Sequence, residues 1–202
     1  MATATLNKTL TEEIWHAEGT ALWVKRAIMV IAGIAILALS AKIKVPLSFT
    51  PVPLTLGTFA VLTLGTAYGP RMGLVTIIGY MIIGALGFDV FSKSSAEVNG
   101  LTYMLGSTGG YLVGFVLATV ALGFGARRGW DRNVFTMALM MLAGTALIYL
   151  PGAAWLSHLY GFDASTAFAK GVAPFLVVDA IKLALAALIV PAVWKLVGKA
   201  RG

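Results

Sequence analysis

The chain has 202 residues, of which 59% are hydrophobic and 11% charged, with a mean hydropathy of +0.90 and a formal net charge of +7. A soluble domain carries about a quarter charged residues, so this chain lacks the polar surface to stay in water and reads as a membrane protein. The absence of cysteine excludes a disulfide framework and a thiolate metal site, and two histidines, His16 and His158, are too few and too far apart for a zinc motif.

Residues 1–24 form a cytoplasmic lead containing Glu12, Glu13 and Glu18. Thr9 followed three residues later by Glu12 is a capping box, which predicts a short helix there. Ile14, Trp15 and Leu22 suit a helix lying in the membrane interface; a disordered tail is the alternative. Lys25-Arg26, an apolar run and Ala38-Leu39-Ser40 mimic a signal peptide, but the acidic lead and the spans downstream speak against one.

Residues 25–202 form the membrane domain. The apolar stretches 27–41, 45–70, 72–88, 98–126, 133–162 and 171–194 supply six spans, each needing about 20 residues for a ~30 Å hydrocarbon core. The expected fold is therefore an all-α bundle of six transmembrane helices. If they alternate, one side receives Lys8, Lys25, Arg26, Arg71, Arg127, Arg128, Arg132, Lys195, Lys199 and Arg201, and the other only Lys42, Lys44, Lys93 and Lys170. Basic residues concentrate on the cytoplasmic side, so both termini are expected there. The bases sit scattered at helix ends rather than on one patch, which argues topology and not nucleic-acid binding.

The first span carries Ala32, Ala35, Ala38 and Ala41. Three-residue spacing drifts by about 60° per step on a 3.6-residue turn, so these alanines wind around the helix as a smooth spiral. They suit internal packing or docking on another membrane protein. The loop after it, AKIKVPLSFTPVPLTL, holds Pro46, Pro51 and Pro53, which make it a rigid, non-helical strut. Such backbone near membrane depth belongs where protein buries it or where it lines a cavity. Gly69-Pro70-Arg71 and residues 127–132 read as tight cytoplasmic turns. The outer loops are longer, covering 42–53, 89–108 and roughly 152–170, and a ligand is expected to enter there.

The second outer loop ends in GSTGGY. Gly109 and Gly110 leave main-chain N–H groups near the start of a helix, where the dipole favours anionic or polar groups. Gly110 and Gly114 also form a GxxxG ridge suited to helix packing. In the last span Asp179 and Lys182 stand one turn apart. A charge at bilayer depth costs about 2.5–3.5 kcal/mol on insertion scales, so the pair is expected to face an interior or cavity. It can serve as a ligand site, or Lys182 can be simply the counter-ion of Asp179.

No GxxxxGK[ST] occurs, so the chain has no ATPase loop of its own. Ser107 and His158 invite an intramembrane serine protease reading, which requires a buried Ser–His hydrogen bond.

Three motifs in order, AKIKVPLSFTPVPLTLGTFAVLTLGTAYGPRMG, GSTGGYLVGF and VVDAIKLALAA, resemble the biotin-specific S components of energy-coupling-factor vitamin transporters. The resemblance runs from about residue 26 to 194. It implies a multi-pass subunit of the bacterial cytoplasmic membrane that captures biotin outside and delivers it inside. Its implied partners are a transmembrane T component and two ATP-binding-cassette ATPases; it implies no enzyme activity and no cofactor. An S component for another vitamin is the alternative. The family more often has glutamine at Gly57 and proline at Ser107. Biotin's ureido ring offers two N–H donors and a carbonyl, which suits Asp179 as acceptor and Lys182 as its orienter or as a donor. By position, Asn99, Tyr103, Gly109, Gly110 and Tyr111 are candidate contacts, with Lys42 or Lys93 near the carboxylate. Ala32, Ala35, Ala38 and Ala41 are candidates for docking the T component.

Overall fold

The computed structural model of the protein describes residues 8–95 and 98–199; the expectations placed on Arg201 and on the Lys199 side chain fall outside what is described. Helix α1 (Leu10–Ile14) is opened by the capping box, with the Thr9 N–H donating to Glu12 Oε2 at 2.9 Å. One side of it is held against the bundle, while Ile14 and Trp15 are exposed. Thr9 and Leu10 are buried, Thr11 donates to Ala67 O, and Lys25 donates to the carbonyls of Thr11 and Trp15, where a cation complements the helix C-terminus.

Helix α2 (Gly19–Lys42) turns Lys25, Met29, Gly33, Leu37 and Ala41 inward. Their four-residue spacing keeps one face in register, whereas the three-spaced alanines drift off it: Ala32 and Ala35 are exposed, and Ala41 is buried. The expected second span begins too early. Residues 44–55 instead form a small antiparallel hairpin of β1 (Lys44–Val45) and β2 (Leu54–Thr55), pairing Lys44 with Thr55 and Val45 with Leu54. The three prolines lie between the two strands, where no ladder donor is needed. The all-α expectation is corrected to that extent.

Helix α3 (Gly57–Ala85) is broken at Gly69, where φ is 75° and ψ 177°. Glycine tolerates this conformation and Pro70 then restarts the helix at a first-turn position. A Cβ on Gly73 would lie 3.6 Å from the Gly65 Cα. Residues eight apart on a straight helix are separated by about 12 Å. The chain therefore doubles back at Gly69, and α3 is two antiparallel arms, residues 57–68 and 70–85.

Helix α4 (Gly100–Met104) is short, and a turn separates it from α5 (Gly109–Arg127), so the expected span 98–126 is interrupted. A 3-10 turn (Trp130–Arg132) leads into α6 (Val134–Tyr160), which stops at Gly161 in the left-handed region. Much of the expected outer loop 152–170 is helical, in the end of α6 and in α7 (Ala164–Gly171), which Asp163 caps. A 3-10 turn (Ala173–Phe175) then delivers α8 (Leu176–Lys199).

Among the described residues five helical stretches are long and apolar enough to cross a membrane, the folded-back α3 among them. Helix α5 is central because its glycines admit backbone contact. A Cβ on Gly114 would come 2.6 Å from the Ile148 Cα of α6, and one on Gly123 would strike Pro70. At one end of the bundle Glu12 pairs with Arg127 at 2.8 Å, and Arg132 stacks on Trp194 at 4.3 Å. At the other end Lys42 and Lys44 reach residues 89–94, and Thr50 donates to Lys170 O at 2.6 Å.

Candidate functional site

The cavity opens beside this second end, between the β hairpin, α3, α5, α6 and α8. Its empty space is about 630 Å³, counting the mouth that opens on solvent. Aromatic rings form much of the wall. Phe91 stacks on Tyr103 at 4.7 Å and meets Tyr80 edge-on at 5.3 Å, while Tyr149 faces Phe175 at 6.3 Å. The hydroxyls of these tyrosines are consumed by the protein. Tyr80 donates to Val90 O at 3.1 Å, Tyr103 shares a 2.9 Å bond with Ser92, and Tyr111 donates to Gly171 O at 2.7 Å. The rings therefore present apolar faces to the cavity.

Against this wall the charge is concentrated at Asp179. Its Oδ1 accepts from Lys182 Nζ at 2.7 Å and its Oδ2 from the Tyr149 hydroxyl at 2.5 Å. Lys182 also donates to Thr55 O at 2.6 Å and to Thr58 Oγ1 at 3.2 Å, so all three of its protons have acceptors. The carboxylate, by contrast, has about four lone-pair sites and two protein donors. What this corner can still do is accept hydrogen bonds.

Of the residues singled out from sequence, Asp179, Lys182, Tyr103 and Tyr111 line the cavity together. Asn99 does not: it stands at the residue before α4 and is not among those lining the cavity. Gly109 and Gly110 do not either, because they are packing positions. Added Cβ atoms would strike Met104 O at Gly109, and Pro151 O and the Trp155 side chain at Gly110. Of the proposed docking alanines, Ala41 faces the cavity instead of the surface. Gly57 lines the cavity, while Ser107 donates to Pro51 O at 3.3 Å. Lys42 and Lys93 serve the loops: Lys42 bonds Asp89 and Phe91 O, and Lys93 donates to Pro51 O at 2.9 Å. His158 is exposed beside Trp155, so the serine–histidine bond of a protease is not formed.

Sequence reading missed Tyr149, Phe175, Thr55 and Thr58. An aromatic in an apolar helix gives no sign of whether it meets lipid or cavity. Thr55 in β2 and Thr58 in the first turn of α3 were hidden by the proline signal before them.

Residues 8–199 match the BioY family. The chain belongs to that family. A probable biotin transporter BioY of Pyrococcus horikoshii is 41% identical over 165 residues, covering 82% of this chain and 93% of the relative. The biotin transporter BioY of Thermotoga maritima is 35% identical over 158 residues, covering 77% and 87%. The crystal structure of an S component for biotin from an ECF-type ABC transporter superposes with a TM-score of 0.78 at 23% identity, over 89% of this chain and 95% of that one. This last likeness shows a shared fold. The chain is a multi-pass membrane protein of a transporter family, not an enzyme.

Proposed function

We propose that this chain captures biotin at the outer face of the cytoplasmic membrane and passes it inward as the S component of an energy-coupling-factor transporter. The observation that carries this reading is Asp179, an acceptor held by two protein donors and set among aromatic rings. That arrangement suits a ligand with paired N–H groups on a compact apolar ring system, and the ureido-thiophane head of biotin is one. Lys182 acts as the counter-ion that holds Asp179 and ties it to β2. The energy comes from a T component and two ATP-binding-cassette ATPases, since the sequence has no phosphate-binding loop.

With the two arms of α3 counted separately, the chain makes six passes. Both termini then lie in the cytoplasm, with residues 8–24 clasped at that end. Ala32 and Ala35, exposed on α2, are the part of the alanine spiral available to the T component.

Titration of the purified protein with biotin tests the reading, with thiamine and riboflavin as competitors. Saturable one-to-one binding that neither competitor displaces is expected. Displacement by either competitor would reassign the ligand, and no binding at micromolar biotin would refute the proposal. Asp179→Asn replaces a charged acceptor and should lower affinity by about 1.5–3 kcal/mol, measured by the same titration.

A further inference from the structure

Tyr149 is a cavity residue whose hydroxyl donates to the Asp179 carboxylate rather than to backbone or loop. It projects from α6, is 7% exposed, and lines the cavity with one part of its ring. Another part borders a separate apolar groove between α6 and α7, formed by small residues such as Ala153 and Ala167. The tyrosine thus borders both the cavity and the groove. Its hydroxyl is 2.5 Å from Asp179 Oδ2.

A carboxylate on a single bond can rotate, and Lys182 restrains only Oδ1. With one donor the group can swing about that contact and direct its free lone pairs in many ways. With a second donor from a different helix, both oxygens are fixed. The remaining lone pairs then point in set directions, and a ligand must place N–H groups along them. Tyr149 and Lys182 both donate to the carboxylate oxygens, so a ligand offering a carbonyl or ring nitrogen there meets acceptor against acceptor.

We infer that Tyr149 is a positioning residue which sets specificity by locking Asp179 as an acceptor for paired ring N–H groups. The inference deepens the biotin reading and rests on it. It assigns the tyrosine a role through Asp179 and not through contact of its ring with the ligand.

The two roles separate in a cycle that varies the tyrosine hydroxyl and the ligand N–H groups together. Wild type and Tyr149→Phe are titrated with biotin, with desthiobiotin, which keeps the ureido N–H pair but lacks the sulfur ring, and with biotin methylated on both ureido nitrogens. Phenylalanine keeps the ring and its packing, and thermal unfolding of each variant verifies the fold. Removing the hydroxyl should weaken biotin and desthiobiotin in parallel, by about tenfold, as for one hydrogen bond to a charged group. The methylated ligand, which cannot use the locked acceptor, should lose less than about twofold, so that discrimination between it and biotin narrows.

Equal losses for all three ligands would overturn the inference and leave Tyr149 as a wall. So would unchanged biotin affinity in Tyr149→Phe. Wild-type protein that fails to bind biotin at all would overturn the proposed function as well. If Tyr149→Phe unfolds, the same comparison in Tyr149→Met, which fills much of the space without a donor, must show the selective loss or the inference fails.

Discussion

Replacing Lys182 by methionine isolates what the buried pair does for the fold. Asp179 and Lys182 are each 8% exposed, and the substitution removes one ammonium with three acceptors: Asp179 Oδ1, Thr55 O and Thr58 Oγ1. Asp179 would keep only the tyrosine donor. Breaking a buried ion pair from one side costs about 3–5 kcal/mol, because an uncompensated charge remains. At about 2–4 °C per kcal/mol for a chain of this size, the unfolding midpoint should fall by roughly 6–20 °C. The double variant Asp179→Leu/Lys182→Met removes both charges, and an apolar pair of similar volume is often neutral or stabilising relative to a buried ion pair. It should recover most of the loss. Thermal unfolding of both variants in one detergent, without ligand, makes the comparison. A double variant as unstable as the single one would refute the account, since the cost would then come from lost packing and not from a stranded carboxylate.

Burial pushes the Asp131 carboxyl up to about 6, despite the Trp194 indole N–H donating to it at 2.7 Å and the nearby Arg132. The folded state therefore binds its proton more readily than the unfolded chain between about pH 4 and 6, and stability falls as pH rises through that window. Asp131→Asn keeps an acceptor for Trp194 and should be more stable than wild type at pH 8, by up to about 3 kcal/mol, with no difference near pH 3; equal unfolding midpoints at pH 8 would disprove this. Hydrogen bonds from Lys42 and Ser94 hold Asp89 below the usual carboxylate range. The Lys42–Asp89 pair should then persist at pH 5 and be lost only as pH falls through that depressed value, whereas Asp89→Asn should release biotin several-fold faster at neutral pH in a stopped-flow chase. Gly114→Leu should yield aggregated protein on size exclusion, because even its Cβ meets the Ile148 backbone; Gly161→Ala, with open space but φ of +66°, should fold and cost about 1–2 kcal/mol.

The charged pair at bilayer depth was legible because nothing but a partner or a cavity explains charge there, and the structure supplies both. The reversal at Gly69-Pro70 was legible for a similar reason: glycine and proline together end a helix and an arginine follows. Gly109 and Gly110 left two readings open, since a glycine that lets two backbones meet and one that exposes N–H groups to a ligand have the same sequence signature. Only the neighbour decides, and here the neighbours are Met104, Pro151 and Trp155. The alanine spiral failed in part by geometry, because three-residue spacing carries Ala41 round to the cavity while Ala32 stays outside.

Helix α1 has five residues, far below the ~12–15 at which an isolated helix becomes even marginal in water. Its partners come from distant parts of the chain: Thr11 bonds Ala67, Glu12 pairs with Arg127, and the Lys8 carbonyl accepts from Arg132 at 3.3 Å. Lys25 and Ala67 precede α5 in the chain, but the contacts with Arg127 and Arg132 form only once α5 and the turn after it have been made. The full set of contacts that holds α1 thus spans more than a hundred residues of chain, so this short helix reports on whether α3, α5 and the turn after α5 have come together.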